Sequence, residues 1–172
     1  MEFTEVLNPK TIVTHLNVKE KAEALDAMAQ MFLEAGNIND KALFIKDVYE
    51  REAVGETGIG NYIAIPHGKS KAVVTPGAAI AVLDHEIAWE SLDDTGAKVV
   101  ILFAVGADNA AAEEHLRMLA LFSRRLGDDA VVAKLIGADC VEDVMQAFLE
   151  EDTAAEVQTE EAEPELDDIS IM

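Results

Sequence analysis

The hydrophobic positions at the start of the chain predict one strand followed by an amphipathic helix. The segment TIVTHL is apolar and rich in β-branched residues, which is typical of a strand. Apolar side chains then recur at helical spacing between residues 18 and 32. Asn17 and Glu20 can form a capping box at the start of this helix, and Gly36 can end it.

Helices and strands continue to alternate along the chain. A second helix is predicted to begin near residue 40, and the strand YIAIP follows it. The segments GAAIAVLD and KVVILFAV are short and apolar, which predicts buried strands. Helical periodicity returns over 109–126, and two shorter helices are predicted over 129–136 and 141–150. The expected fold is a single α/β domain over residues 1–150, with a mixed β-sheet sandwiched by helices on both faces.

The charge of the chain is strongly negative and unevenly distributed. Among 172 residues the formal net charge is −21, and the ten carboxylates from Glu150 onward have no Lys or Arg among them. Such a charge disfavours nucleic acid and anionic membranes as partners and would attract a basic protein surface. Residues 151–172 are acidic and poor in aromatic residues, so we expect them to be disordered. They form either a solvating tail or a linker from a longer, multidomain chain.

Several kinds of protein are disfavoured by features that the sequence lacks. No apolar run is long enough to cross a bilayer, and MEFTEVLNPK has neither the basic nor the apolar region of a signal peptide. The single Cys140 argues against a disulfide framework or a cysteine-rich zinc site, and no group of His, Cys, Asp and Glu has metal-ligand spacing. We therefore expect a reduced, cytoplasmic protein without a metal and without direct insertion into a membrane.

The stretch TGIGNYIAIPHGKS carries the strongest candidate chemistry. Its Gly-Lys-Ser end resembles a phosphate-binding loop, but Ile63 stands where that loop needs its first glycine, and Pro76 disfavours the helix that must follow. His67 is the alternative. Pro66 should stop strand pairing there, and Gly68 would let a partner approach the ring closely. A neutral imidazole at the carboxyl end of a strand is a competent nucleophile, although a structural histidine fits the same pattern.

The other three histidines have plainer interpretations. We expect His15, near the end of a strand, and His85, in a turn, to be structural or exposed. His115 borders the apolar stripe of the helix over 109–126, which is typical of a residue at the edge of a helix. The arginines late in that helix suit its macrodipole better than they suggest a phosphate clamp.

The segment REAVGETGIGNYIAIPHGKS closely resembles the active-site segment of the fructose/mannitol-type enzyme IIA domains (EIIA type 2) of the bacterial sugar phosphotransferase system (PTS). That family also includes the nitrogen-regulatory IIA proteins. The shared pattern is an acidic or amide residue, here Glu52, then Ile59-Gly60, then apolar-Ala-apolar-Pro-His-Gly ending in His67-Gly68. The segments EIAWESLDDTGAKVVILFAVGA, HLRMLALFSRRLGDD and AKLIGADCVEDVMQAFLE resemble later parts of the family, so the likeness covers about residues 3–150. Tyr62 departs from the pattern, because the family commonly has glycine there.

This resemblance implies a phosphotransferase that works through a phosphohistidine. His67 would accept a phosphoryl group on Nε2 from the phosphocarrier protein HPr and pass it to a cysteine of an EIIB domain. A sugar, with fructose the expected one, would then be phosphorylated as it enters through the membrane domain EIIC. Arg51 and His115 match the family's phosphate-side partners and would stabilise the transferred group. No cofactor, nucleotide or metal is implied, and the location would be cytoplasmic, with association to a membrane-bound EIIC permease.

Two other functions stay open at this point. A nitrogen-regulatory IIA protein would carry the same phosphohistidine and use it to switch its binding to other proteins. A non-enzymatic interaction domain would have a purely structural His67. Cys140 is no candidate for the second active site of the relay, because DCVEDV lacks the proline and small-residue turn that follow an EIIB cysteine.

Overall fold

The computed structural model describes residues 2–149, which fold into helices packed on a six-stranded sheet. The helices are α1 (Phe3–Val6), α2 (Lys21–Ala35), α3 (Lys41–Glu52), α4 (Asn109–Leu126), α5 (Asp129–Ile136) and α6 (Val141–Leu149). The strands are β1 (Ile12–Leu16), β2 (Gly58–Gly60), β3 (Ile63–Ala64), β4 (His67–Lys69), β5 (Gly77–Ile87) and β6 (Ala97–Val105). Within this part of the chain, no helix has both the length and the apolar character needed to cross a membrane.

The sheet is mixed, and β6 lies at its centre. The strand order is β1-β5-β6-β3-β2, and β4 also pairs with β6, beyond the end of β3. Strand β6 is antiparallel to β5 and parallel to β3 and β4. At the edges, β1 is parallel to β5 and β2 is antiparallel to β3. The predicted α/β domain with one mixed sheet is therefore confirmed.

Alternate residues of β6 face the two helical layers, because successive side chains of a strand point to opposite faces. One set packs with α1, α4, α5 and α6 and comprises Val99, Ile101, Phe103 and Val105. The other set packs with α2 and α3 and includes Val100, Leu102 and Ala104. Each of these residues is at most 1% exposed, so the central strand is enclosed by helices on both faces, as predicted.

Capping residues explain where the first long helices begin and end. Glu20 caps α2, so the predicted start at Asn17 is too early. Gly36 ends α2 as predicted, with a φ of 88° that glycine adopts without strain. The Asp40 side chain accepts a 3.0 Å hydrogen bond from the Leu43 N–H and starts α3, as the sequence predicted.

Three local features differ from the predictions. A short helix, α1, precedes the first strand and buries Phe3 and Val6, which lie one turn apart. Strand β5 continues through His85, for which the sequence predicts a turn. Strand β2 forms where only a turn was predicted, because Gly58 lies opposite Ala64 and the Ile65 N–H donates a 2.8 Å hydrogen bond to the Thr57 carbonyl beside that pair. Such backbone pairing leaves no pattern of side chains.

Candidate active site

His67 lies beside the central strand, at a break in the neighbouring chain. Strand β3 pairs with β6 through Ile63 and Ala64, and β4 resumes the pairing with His67 opposite Phe103. Between them the Pro66 carbonyl accepts a 3.0 Å hydrogen bond from the Phe103 N–H. The proline interrupts the pairing as predicted, but His67 begins a short strand instead of following the end of one. The ring is thus held on a fixed backbone and is only 8% exposed.

The ring of His115 lies against the ring of His67. Their centroids are 4.8 Å apart, with an angle of 64° between the ring planes. Phe103 packs against both rings, with centroids 5.2 Å from His67 and 6.2 Å from His115. Asp108 caps α4 by accepting a 2.8 Å hydrogen bond from the Ala111 N–H, which fixes the start of the helix that carries His115.

Arg51 lies on α3, in the opposite helical layer, and acts on the two histidines through its charge. It lies in the last turn of α3, and its Nη1 donates a 3.3 Å hydrogen bond to the Gly55 carbonyl in the loop that follows. Its positive charge acts on both His67 and His115. The two histidines are thus in contact beside β6, and the charge of Arg51 acts on both of them.

Burial and positive neighbours keep both histidines neutral. Burial, the charge that His115 carries when it is protonated, and the charge of Arg51 lower the pKa of His67 from its usual 6.5 to about 4. Burial also lowers the pKa of His115, helped by the charges of Lys69 and Arg51. Neither ring is therefore charged near pH 7, and an uncharged imidazole keeps the lone pair that a nucleophile needs.

The environment of His67 distinguishes its two ring nitrogens. Nδ1 is buried and has no hydrogen-bond partner of good geometry among residues 2–149. The Ile65 carbonyl nevertheless favours the protonated ring and partly opposes the lowering of the pKa of His67. Such an acceptor favours a proton on one nitrogen and leaves the lone pair of the other available.

Gly68 is required by the packing of α3. A Cβ at this position would lie 2.2 Å from Cε1 and 2.4 Å from Cζ of Phe44, and 3.0 Å from Cγ2 of Val48. The structure therefore gives a different reason for this glycine from the predicted one, which was room for a partner beside His67. The missing side chain lets β4 pack closely on α3, the helix that carries Arg51.

Tyr62 occupies a backbone position that favours glycine. Asn61 and Tyr62 connect β2 to β3 with φ values of 57° and 67°. Glycine adopts such values without steric cost, which explains why the resembling family commonly has it here. The Tyr62 ring packs against Lys98, whose Nζ lies 4.4 Å from the ring centroid. The departure from the family pattern is thus accommodated within the turn.

Lys69 also acts on the site and was not predicted from the sequence. It lies two residues after His67 in β4, and its positive charge contributes to the low pKa of His115. The two-residue period of a strand was the available signal, because residues i and i+2 share a face. No group of His, Cys, Asp or Glu within residues 2–149 could hold a metal ion.

The remaining candidates lie apart from this cluster. His15 is on β1, with Nδ1 3.2 Å from an Asp84 oxygen and Nε2 3.4 Å from an Asp139 oxygen. His85 is an exposed residue of β5, and Cys140 is an exposed free thiol. These positions agree with the structural or exposed roles expected for both histidines.

The chain resembles known proteins over nearly all of its described length. A family model described as "Phosphoenolpyruvate-dependent sugar phosphotransferase system, EIIA 2" matches residues 5–151. The fructose-specific EIIABC component of Bacillus subtilis is 31% identical over 152 residues, which are 88% of this chain and 24% of that protein. A nitrogen regulatory protein of Bradyrhizobium diazoefficiens is 34% identical over 135 residues, which are 78% of this chain and 86% of that protein. The chain spans about a quarter of the length of the EIIABC relatives it matches.

Solved structures show the same fold. Nitrogen regulatory protein IIA-Ntr from Neisseria meningitidis matches with a TM-score of 0.76 and 22% identity, over 84% of this chain and 97% of that one. A complex of enzyme IIA mannitol with phosphorylated enzyme IIB mannitol from Escherichia coli matches with a TM-score of 0.71 and 21% identity, over 84% of this chain and 98% of that one. Because the family model covers most of the sequence, the chain belongs to the EIIA type 2 family of the sugar phosphotransferase system, as its resemblance implied.

Proposed function

We propose that the chain is a phosphoryl carrier, in which His67 accepts a phosphoryl group from HPr and passes it to a cysteine of an EIIB domain. The observation that carries this proposal is the neutral, buried His67 beside His115, within the field of Arg51. A nucleophile with an available lone pair stands beside fixed positive charge. Phosphoryl transfer depends on that combination of positioning and electrostatic stabilisation.

The first transfer exchanges one nitrogen–phosphorus bond for another. The lone pair of His67 Nε2 attacks phosphorus while the bond to the donor imidazole breaks, and the electron pair of that bond returns to the donor nitrogen. We assign the attack to Nε2 because Nδ1 is buried. The proton stays on Nδ1, and the Ile65 carbonyl favours a protonated ring. In the second transfer a cysteine thiolate attacks phosphorus and forms a sulfur–phosphorus bond, while the bond from Nε2 to phosphorus breaks and its electron pair returns to Nε2, which restores the neutral ring.

Arg51 and His115 would stabilise the charge of the transferred group. A guanidinium presents a planar fork of donors that matches phosphoryl oxygens. His115 Nε2 is buried and has no partner among the described residues, so a phosphoryl oxygen would satisfy it as a hydrogen-bond donor. Lys69, exposed on the same strand as His67, would add positive charge at the edge of the site.

The partners are proposed from charge and from the relatives. An acidic chain with a net charge of −21 suits a carrier protein with a basic docking surface, which is what we propose for HPr. The names of the EIIABC relative and of the mannitol IIA–IIB complex support an EIIB domain as acceptor, and the name of the fructose-specific relative supports fructose as the sugar. We place this domain at residues 1–150, in the cytoplasm. Residues 151–172, an expected acidic tail or linker, lie outside the described residues.

A nitrogen-regulatory role is the second candidate function. The identity of 34% to a nitrogen regulatory protein, of which the chain covers 86%, favours it. The phosphorylated His67 would then change the binding of the chain to other proteins. The two functions share the first transfer and differ in the second, so discharge to an EIIB cysteine separates them.

The test begins with labelled phosphoenolpyruvate, the upstream kinase and HPr. We expect one adduct that is labile in acid and stable in alkali, as a phosphoramidate is, and no adduct on His67→Gln. The matched control is His85→Gln, an exposed histidine of β5, which should be labelled like the wild type. Full labelling of His67→Gln would overturn the proposal. Added EIIB should then remove the label in the transport role and leave it in place in the regulatory role.

A further inference from the structure

A largely buried ion pair lies at the end of α3, at the residue next to Arg51. The next residue, Glu52, ends α3, and its side chain is only 6% exposed. Its Oε1 accepts a hydrogen bond from Nζ of Lys21, the first residue of α2. The same ammonium lies 2.8 Å from Oε1 of Glu90, whose side chain is 68% exposed. Lys21 therefore joins one enclosed and one solvated carboxylate.

Lys21 remains charged in this position. Burial acts to lower its pKa, but the hydrogen bonds and charges of Glu52 and Glu90 outweigh that effect and raise it. The pair is therefore an ionic contact between the beginning of α2 and the end of α3 near neutral pH.

A second contact, besides the ion pair, fixes the far end of the loop that follows α3. The indole N–H of Trp89 donates a 2.9 Å hydrogen bond to Oγ1 of Thr57, and both residues are buried. The Nζ of Lys21 lies 4.9 Å from the centroid of the Trp89 ring, at a distance typical of a cation–π contact. Lys21 therefore contacts Glu52, before this loop, and Trp89, which binds Thr57 at the end of the loop.

The loop 53–57, which lies between these two contacts, binds the Arg51 side chain. The Gly55 carbonyl accepts the hydrogen bond from Arg51 Nη1. The Thr57 carbonyl accepts a 2.8 Å hydrogen bond from the N–H of Ile65, two residues before His67. One continuous set of contacts thus connects Lys21 to Arg51 and to the backbone that leads into His67.

We propose that Lys21 and Glu52 are positioning residues for phosphoryl transfer, whose ion pair holds the end of α3 and the loop 53–57 so that Arg51 faces the two histidines. This inference rests on the proposed function. Neither residue touches the transferred group. Desolvation offsets much of the attraction within a buried ion pair, so such a pair adds little to the stability of the fold. Its position next to Arg51 indicates a positioning role instead.

The rate of His67 phosphorylation tests this positioning role. Glu52→Gln removes the charge and keeps the shape, and it should slow phosphorylation by phosphorylated HPr at least about ten-fold, since a small displacement of a catalytic group costs that much or more. Glu90→Gln is the matched control, because it removes the exposed carboxylate from the same lysine. That variant should stay within about two-fold of the wild type. A wild-type rate for Glu52→Gln would overturn the proposal.

A second background separates positioning from general support of the fold. In Arg51→Ala, the further change Glu52→Gln should slow the reaction by less than about two-fold, because no guanidinium remains to be displaced. Equal slowing of Glu52→Gln in both backgrounds would mean that the pair acts independently of Arg51, and would overturn the proposal.

Titration of the histidines by NMR gives a readout that needs no phosphorylation. Loss of the Glu52 carboxylate would by itself lower the pKa of a nearby histidine, because a charge that favours the imidazolium disappears. Displacement of Arg51 would do the opposite, since its charge now lowers the pKa of His67 and His115. We expect both values to rise in Glu52→Gln, as in Arg51→Ala. Unchanged or lower values would contradict the inference.

Lys21 allows the same pair to be tested from its other side. Lys21→Met keeps an apolar contact with Trp89 while removing the charge, so it serves if Glu52→Gln folds poorly. It should slow phosphorylation as Glu52→Gln does, whereas Lys21→Arg, which keeps the ion pair, should retain most of the rate. A wild type that takes no label would refute the proposed function, and the NMR titration would still decide whether the pair holds Arg51.

Discussion

His67 and His15 both lie on strands, yet their surroundings are opposite. His67 is 8% exposed, and its charged and titratable neighbours disfavour a proton. The His15 side chain is 58% exposed and lies between the carboxylates of Asp84 and Asp139. A histidine therefore becomes a candidate nucleophile through its environment. Burial and positive neighbours keep the lone pair available, whereas solvent and carboxylates have no such effect.

The pH dependence of stability should separate the two histidines most strongly. The pKa of His67 falls from 6.5 to about 4 on folding, so the unfolded chain takes up a proton first as the pH is lowered. Stability present above about pH 6.5 is then lost progressively down to about pH 4, by up to about 3 kcal/mol. Urea unfolding between pH 4 and 7 should show this loss in the wild type and in His15→Gln. In His67→Gln this loss should be smaller by about 3 kcal/mol, with the contribution of His115 remaining, and an unchanged profile in that variant would mean that His67 is not held neutral.

Patterns within one segment of the sequence were sufficient to predict the elements that form from that segment alone. The amphipathic helices α4 and α5 begin and end where the periodicity predicted, because each pattern is complete within its own segment. The extension of β5 through His85 depends instead on its partner strands, and β2 depends on backbone pairing of glycines. Neither dependence leaves a local pattern of side chains.

One part of the site is visible in a local sequence motif, and the rest depends on contacts between segments that are distant in the sequence. His67 could be named because it stands within a specific motif. Its contact with His115 depends on how α4 crosses the sheet, and the need for Gly68 depends on the Phe44 ring of α3. The pairing of Lys21 with Glu52 likewise joins separate helices. Such contacts between distant segments are not encoded in spacing along one segment, and only the folded chain shows them.

Removing the second ring of the site should separate the two half-reactions. His115→Ala leaves the proposed nucleophile in place, so HPr should still label His67. Transfer from His67 to an EIIB cysteine should fall by about 100-fold, the cost of losing one preorganised donor to developing charge. Rapid-quench measurement of both steps checks this, with His85→Ala as the control. Loss of labelling in His115→Ala would instead show that acceptance itself needs His115.

The geometry of the positive charge should matter as well as its sign. Arg51→Lys keeps the charge and loses the planar fork of donors, so both half-reactions should slow about ten-fold, or about 1.4 kcal/mol. Arg117→Lys is the matched control, because Arg117 is an exposed helical arginine paired with Glu113 one turn away. Unchanged rates for Arg51→Lys would remove Arg51 from the site and leave it as a helix-terminal charge.

The smallest effect is expected at the exposed histidine. His15 has a φ of 56°, a left-handed conformation that asparagine tolerates better than most residues. His15→Asn should therefore keep the backbone and lose only the two contacts with Asp84 and Asp139. Exposed ion pairs contribute little, so the free energy of unfolding should change by less than about 1 kcal/mol, which corresponds to a shift of the thermal midpoint of at most about 4 °C. Labelling by HPr should be unchanged. A larger loss of stability would mean that these two contacts hold β1 in place, and that solvent exposure alone does not make a histidine dispensable.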